Sequence, residues 1–481
     1  MILAKLAKDS AIYGGADFLT KILSFLVFPF IAAALSTKAF GLLELILTIT
    51  ALVGMIVNCG LNSSVQRFYW DKDTTVEMQQ VIVTSGYSAQ IVFGVIFLII
   101  GFMFLPFLTS IFKENDIPIS WITLISALFL IVFMEWIKYA LDVIRLHFTP
   151  WKFFFLAMQS RVLVAFFGLY AVVFLGLGID GFLVSHALGL IISTPLAIWF
   201  IRKDINLAKL DLEWVKELVK YGYPFIYAGL AFWLFSSMDR WMLASMNSFE
   251  EVGIYSVASR LSSIVFFFSM AFGQAWSPIA IKIRTDYPEE YRDIYGQVLV
   301  YLIFSMSIVG GGLALFSGEA IYLLFPSEFL PSAMPMLILC FSIVLQSTMQ
   351  VTAAGISIEK KTFIFARVSW FVALVNFILN YILIPEYGAS GAATATLISY
   401  FILTISYLYF TQKLHPMKIP WFNLIILVFL VLLIAIISMY SITYSIRIEI
   451  IIMKFLFSLV CLIIGFLLLP FGLLDKKKLL S

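Results

Sequence analysis

The chain has 481 residues, of which 62% are hydrophobic and 12% charged, with a formal net charge of +3 and a mean hydropathy of +1.03. A soluble domain carries about 25% charged residues, so this composition excludes a water-soluble globule. The charge balance is also too small to suggest nucleic acid as a partner. Cys59, Cys340 and Cys461 are scattered through apolar runs and read as small core residues, not as a disulfide framework.

The N-terminal stretch MILAKLAKDSAIYGG has a basic flank but no compact apolar core with a small-residue cleavage site, so the first helix is expected to be retained. A spanning helix needs about 20 apolar residues. Fourteen such runs follow in order, at about 10–35, 40–64, 80–110, 119–145, 152–177, 180–201, 218–245, 252–280, 295–324, 332–357, 363–385, 389–411, 420–444 and 449–473. None shows the short alternating segments of a membrane β-barrel. With the N-terminus placed inside, the outer loops hold only Lys38, Lys113 and Arg447. Nearly all other bases outside the helices fall on inner segments, which by the positive-inside rule makes both termini cytoplasmic.

The expected fold is therefore an all-α polytopic membrane protein with 14 transmembrane helices. Residues 1–205 would form an N-terminal six-helix bundle, 206–217 a cytoplasmic linker, and 218–412 a second six-helix bundle. Residues 413–481 would add transmembrane helices 13 and 14 and a basic tail. Internal similarity supports two pseudo-symmetric bundles around a central cavity. Leu6-Ala7-Lys8 falls on Leu218-Val219-Lys220 at a shift of 212, and LSTKAFGLLEL with Gly41 falls on NSFEEVGIYSV with Gly253 at the same shift. Late in each half, Gly178-Ile179-Asp180-Gly181 falls on Gly388-Ala389-Ser390-Gly391 at a shift of 210. Six helices per half make the repeats parallel.

Enzyme chemistry finds little support. Gly176 to Gly181 satisfies a dinucleotide-binding glycine pattern, but it lies in a turn between spanning runs and not in a soluble strand–helix unit. There is no phosphate-loop motif, and His147, His186 and His415 lack metal-ligand spacing, which leaves packing or interface placement as their expected role. No nucleophile–base set stands out, and no loop is long enough for a catalytic domain.

Polar residues inside the apolar runs carry the functional signal, because a base in hydrocarbon costs about 2.5–3.5 kcal/mol even on insertion scales. The first run carries Ser10, Gly14, Asp17, Lys21 and Ser24 on one helical face, with Asp17 one turn before Lys21 as its partner or as a proton acceptor. The second carries Glu44, Thr48, Asn58 and Asn62; the eighth Tyr255, Ser259, Arg260 and Ser262; the tenth Ser342, Gln346 and Gln350. These stripes imply a wet space lined by helices 1, 2, 8 and 10, although interhelical hydrogen bonding would explain the serines and glycines equally well. Glu135, Lys138, Asp142 and Arg145 share a face of the fourth run, with Arg161 on the fifth, and read as a structural charge cluster. Lys454 is expected to snorkel outward. Asp239 and Arg240 are about 100° apart on a helix and need not pair, whereas Arg260 has no acid within a turn of sequence.

LSTKAFGLLEL after Pro29, GLNSSVQRFYWD (Gly60 to Asp71), Pro224 through Asp239-Arg240-Trp241, EEVGIYSVASRLSS, QAWSP (Gln274 to Pro278) and IPEYGASGAATATLISY (Ile384 to Tyr400) occur in this order. Together they resemble the O-antigen flippases and related polysaccharide transporters of the multidrug/oligosaccharidyl-lipid/polysaccharide exporter superfamily. The resemblance covers nearly the whole chain and rests on order and spacing. It implies a flippase without ATPase activity in the bacterial cytoplasmic (inner) membrane. Such a protein moves an undecaprenyl-diphosphate-linked oligosaccharide, O-antigen or a related surface polysaccharide, to the outer leaflet by alternating access. It further implies Lys21, Arg240 and Arg260 as lumen cations for the diphosphate, Asn58, Gln346 and Gln350 at the sugars, and Asp17 as the residue coupling transport to a proton or sodium gradient. The implied partners are the bilayer, the lipid-linked glycan and the polymerase and chain-length proteins of the pathway, with no cofactor or metal. Lipid II flippases use arginines in helices 1, 2 and 8; here helix 1 offers Lys21, helix 8 Arg260, and helix 2 no base before Arg67. The alternatives are a cation-coupled multidrug exporter or lipid II flippase of the same superfamily and, in another class, a membrane-embedded glycan polymerase or ligase.

Overall fold

The structure is a computed structural model that describes residues 2–114, 117, 119–359 and 361–470. Lys360, the basic tail Lys476–Lys478 and the side chains of the first eleven residues, Lys5, Lys8 and Ser10 among them, lie outside the described residues. All regular elements among those residues are helical. By its contacts the chain divides into two compact units, Met1–Ser237 and Met238–Ser481.

The first unit holds α1 (Ile2–Ala34), α2 (Thr37–Asn58), α3 (Leu61–Tyr69), α4 (Val76–Glu114), α5 (Trp121–Leu146), α6 (Pro150–Leu169), α7 (Gly178–Ile201) and α8 (Leu212–Gly222). The next helix, α9 (Pro224–Met246), starts in it. The second unit holds α10 (Phe249–Asp286), α11 (Tyr291–Leu315), α12 (Ser317–Leu324), α13 (Ala333–Ser347), α14 (Met349–Thr352), α15 (Ala354–Ile358), α16 (Thr362–Leu414), α17 (Trp421–Tyr440) and α18 (Ile448–Leu467). In the first unit α5 packs on α7, α6 on α7 and on α1, and α2 on α5. In the second α13 packs on α16, α10 and α11, and α17 on α11.

Twelve helices among the described residues are long and apolar enough to cross a membrane, against the fourteen runs expected. The difference arises at two places. The run at 218–245 breaks at Pro224, which lacks the N–H a continuous helix needs. It becomes the amphipathic α8 and the separate α9, whose apolar face is interrupted by Asp239 and Arg240. The runs at 363–385 and 389–411 are joined as α16, inside which Gly388 takes a non-helical conformation (φ 52°, ψ −131°). The second run also ends early. Cys59 (φ 50°) and Gly60 (φ 70°) take left-handed conformations and terminate α2, and α3 then continues as a short amphipathic helix.

The internal repeat is visible in backbone detail. Ser36 and Ser248, 212 positions apart, both act as N-caps, accepting hydrogen bonds from Ala39 N (3.2 Å) and Glu251 N (3.2 Å). Gly178 and Gly388, 210 apart, both have positive φ (59° and 52°). Each is tied to its own unit by an acid. Asp180 accepts from Ser120 Oγ (2.6 Å) and from Thr123 Oγ1, while Glu251 accepts the Ala389 N–H (2.6 Å).

The segment between the sixth and seventh expected helices is stitched to the first unit. Thr84 Oγ1 donates to Asp204 O (3.3 Å), Asn206 N donates to Thr84 Oγ1 (3.0 Å) and Asp211 N to Ser85 Oγ (3.2 Å). Ser64 Oγ donates to Leu218 O (2.7 Å), and Phe68 sets its ring edge-on to Trp214 and Tyr221. Gly60 and Gly222 meet backbone to backbone, so that a Cβ on Gly60 would collide with the Gly222 carbonyl.

Lys454 corrects an expectation. It does not snorkel: it is 4% exposed, and its Nζ donates to Glu319 Oε1 (2.6 Å), Glu319 Oε2 (2.9 Å) and Leu315 O (2.9 Å). Thr443 Oγ1 donates to the same carboxylate (2.7 Å). A lysine this far inside an apolar helix satisfies its charge with a neighbouring helix sooner than it stretches to water.

Candidate functional site

In the first unit, Asp17, Lys21 and Ser24 share one exposed face of α1. The helix backbone there is bonded locally, with Thr20 Oγ1 donating to Asp17 O (2.9 Å) and Ser24 Oγ to Thr20 O (2.9 Å). A Cβ on Gly14, one turn earlier, would meet nothing within 4 Å.

Within the same unit runs a largely buried polar chain. Asn58 Nδ2 donates to Asn62 Oδ1 (2.7 Å) and to Gln90 Oε1 (3.3 Å), and Asn62 Nδ2 donates to Asp142 Oδ2 (2.6 Å). Asp142 also lies 3.5 Å from Arg145, and Glu135 lies 2.6 Å from Lys138. Glu135 is 3% exposed and fills the space that Gly54 of α2 leaves: a Cβ there would approach its Oε1 to 2.8 Å. Asn58, expected at the sugars, is therefore corrected: it is 9% exposed and its amide is spent inside the unit. The expected charge cluster is built as two ion pairs on α5. Arg161 on α6 is exposed and makes no ion pair with a described residue, so the structure does not bring it to them.

In the second unit, Asp239 and Arg240 do interact, contrary to their separation on the helix. Arg240 N donates to Asp239 Oδ1 (2.9 Å), and its Nη1 lies 3.9 Å from the same oxygen. Tyr255 on α10 donates its hydroxyl to Asp239 Oδ2. Arg240 Nε donates to Ser256 Oγ (3.4 Å) and Nη2 to Ser259 Oγ (3.3 Å), with the guanidinium 5.6 Å from the Tyr255 ring centroid. With 15% of its side chain exposed, Arg240 is held within the α9–α10 contact, which corrects its expected place as an open lumen cation. Arg260 sits one turn beyond Ser256 on the same helix and is half-buried. Gln346 is half-buried on α13, while Gln350 on α14 is exposed and lies against Gly273 of α10, whose Cβ would approach its Cδ to 2.7 Å.

Two histidines left to packing form ion-pair contacts. His147 Nε2 lies 3.0 Å from Asp204 Oδ1 in the first unit. In the second, His415 Nε2 lies 2.5 Å from Glu359 Oε1, and its Nδ1 lies 2.9 Å from the Tyr291 hydroxyl. Glu359 follows His147 by 212 positions and His415 follows Asp204 by 211, so the acid and the base have exchanged places in the repeat. The His415 hydrogen bond holds the Glu359 carboxyl below its ordinary value. The spacing of the histidines in sequence hid these pairs, but the repeat offset could have found them. Likewise Glu319 and Lys454, lone opposite charges in separate apolar runs, could have been matched as partners.

Comparison with known proteins gives the family. A family model described as polysaccharide biosynthesis protein matches residues 6–284. The chain is 24% identical over 250 residues to the "Probable low-salt glycan biosynthesis flippase Agl15" of Haloferax volcanii, covering 51% of this chain and 52% of that protein. It is 25% identical over 224 residues to the capsular polysaccharide biosynthesis protein CapF of Staphylococcus aureus, covering 45% and 56%. The chain thus spans about half the length of these two curated relatives. A solved structure of the lipid II flippase MurJ in an inward closed conformation superposes with a TM-score of 0.73 at 15% identity, covering 98% of this chain and 99% of that one, which shows a shared fold. With the family model matched over more than half its length, this multi-pass helical membrane chain belongs to the polysaccharide biosynthesis protein family.

Proposed function

We propose that the chain is a flippase for lipid-linked glycans: a transporter, not an enzyme, that carries an undecaprenyl-diphosphate-linked oligosaccharide to the outer leaflet by alternating access. Family membership and the flippase-like fold support the class. The observation that carries the choice of substrate is the occurrence of two bases inside long apolar helices, Lys21 on an exposed face of α1 and the half-buried Arg260 on α10. A diphosphate needs cations in a medium where low dielectric strengthens their attraction. Arg240 then serves as a brace between α9 and the turn of α10 that leads to Arg260, and Gln346 and Gln350 are the amides available to sugars. Asp17 couples transport to a proton or sodium gradient.

In this reading the protein sits in the bacterial inner membrane with both termini cytoplasmic and crosses it fourteen times, α16 crossing twice about Gly388 and α9 once. Residues 1–205 and 218–412 supply the two six-helix bundles, and 413–481 the added pair of helices. The pathway's polymerase and chain-length proteins are its functional partners. A multidrug exporter of the same fold would favour cationic drugs, which lumen bases repel.

The test is accumulation of cytoplasm-facing lipid-linked glycan in a strain lacking the protein and any redundant transporter. Accumulation that is reversed by the wild-type chain, but not by Arg260→Ala or Lys21→Ala, is expected. Normal outer-leaflet delivery in the deletion strain would refute the proposal.

A further inference from the structure

A cavity of about 560 Å³ opens in the second unit where α10 ends and α11 begins, closed on its other side by α14 and α15. That volume falls within the ~300–1,000 Å³ range of small-ligand sites. Its floor is buried and apolar or aromatic: Trp276, Ala280 and Tyr295, whose hydroxyl is engaged by the Ala280 carbonyl (2.6 Å). Its open rim carries Arg284, Thr285, Gln350 and Ser357, all exposed, beside the exposed Ile281.

Two features separate this cavity from a solvent-filled crevice. Arg284 makes no hydrogen bond or ion pair with a described residue. The acid whose ionisation feels it, Glu359, is already bonded to His415. No described residue commits the guanidinium that lines the cavity, and its planar fork matches a carboxylate or phosphate two bonds at a time. Gln350 likewise makes no hydrogen bond with a described residue, and the missing Cβ of Gly273 leaves room for its amide against α10. An amide that can donate and accept, the Ser357 hydroxyl, the Thr285 hydroxyl as an acceptor and a guanidinium are the complement of a hydroxyl-rich anion.

We propose that this cavity is a subsite for a negatively charged sugar residue of the transported glycan, with Arg284 reading the acidic group and Gln350 and Ser357 the hydroxyls. This rests on the flippase reading. It adds that the cargo carries an acidic sugar, a uronate or a sugar phosphate, and that selection for it lies in the second unit at a place other than Lys21 and Arg260.

The test uses the full chain purified in nanodiscs and saturation-transfer NMR with four probes: methyl glucuronide, glucose 6-phosphate, methyl glucoside and inorganic phosphate. The wild type should bind one or both anionic sugars at least tenfold more tightly than methyl glucoside or phosphate, and which of the two binds identifies the acidic group. Arg284→Gln should abolish that preference while sparing the weak methyl glucoside signal, and Ser357→Leu, which fills the cleft, should remove both signals. Equal binding of charged and neutral sugars, binding of phosphate alone, no binding, or an unchanged preference in Arg284→Gln would each overturn the subsite. The outcomes are separable from the flippase reading. Loss of the preference with transport still dependent on Arg260 leaves the flippase standing. A cavity that binds acidic sugars in a protein whose deletion leaves outer-leaflet delivery normal leaves only the site.

Discussion

Replacing Glu319 by Leu would strand Lys454 among α11, α12 and α18. In the wild type the ammonium makes three hydrogen bonds of 2.6–2.9 Å, two to the Glu319 carboxylate and one to Leu315 O, with 4% of the residue exposed. Removing one partner of a buried pair leaves an uncompensated charge, at a cost of about 3–5 kcal/mol. The reverse variant, Lys454→Met, strands the carboxylate with only Thr443 as donor and should cost a similar amount. The double variant behaves differently. With both charges gone, the desolvation cost disappears as well, leaving the Leu315 carbonyl and the Thr443 hydroxyl short of one partner each, at about 1 kcal/mol apiece. The double variant should therefore recover most of the loss suffered by either single one. Equilibrium unfolding of the purified chain in mixed micelles, followed by circular dichroism and analysed as a double-mutant cycle, measures this. Single variants within about 0.5 kcal/mol of wild type would show that the pair is not sealed from water. A double variant as unstable as the sum of the singles would show that packing at those positions, not charge, holds α18 in place.

Gly388→Ala should lower the melting temperature of the purified chain. Its φ of 52° with ψ of −131° is a conformation that costs a side-chain-bearing residue about 1–3 kcal/mol. The new Cβ would also press on the Glu251 carboxylate that anchors Ala389, so an unchanged melting temperature would refute the role of this turn. Glu359 has a depressed pKa, so its pairing stabilises the fold above the ordinary glutamate value of 4.5 and is lost as the pH falls through the lower folded value. The difference in melting temperature between wild type and Glu359→Gln should thus shrink as the pH falls below about that value. A difference independent of pH would exclude the ion-pair origin. Gly54→Ala should destabilise the first unit by forcing Glu135 off α2, and Lys138→Gln, which takes the ion-pair partner from the buried Glu135 carboxylate, should also lower the melting temperature; an unchanged value in either variant would refute the packing described for Glu135.

The helical class, the membrane and the repeat were legible because they are written in periodicity and in length. Ser36 and Ser248, aligned in the repeat, both cap helices, and Gly178 and Gly388 both have positive φ. The polar side chains were less legible. A run such as that of Asp239 and Arg240 shows which face of a helix a residue occupies but not which helix lies opposite, and it was Tyr255, Ser256 and Ser259 on α10 that made Arg240 an internal brace. Asn58 failed for the same reason: its partner Gln90 comes from α4, and Asn62, its other partner, is held by Asp142 of α5, far along the chain. Lys454 was judged by its distance from a helix end, when the deciding fact was a carboxylate 135 residues away.

The stitching of residues 204–222 onto the first unit has a consequence for synthesis. Ser64, Thr84 and Ser85 are fully buried, and their partners Leu218, Asp204, Asn206 and Asp211 leave the ribosome more than a hundred residues later. A nascent chain of 205 residues would hold all six of the first unit's apolar runs and still lack the cover for those hydroxyls and for Phe68. The first unit therefore becomes complete only when Gly222 can settle against Gly60. A fragment cut at 205 should be a substrate for membrane quality control, and one cut after 222 should escape it.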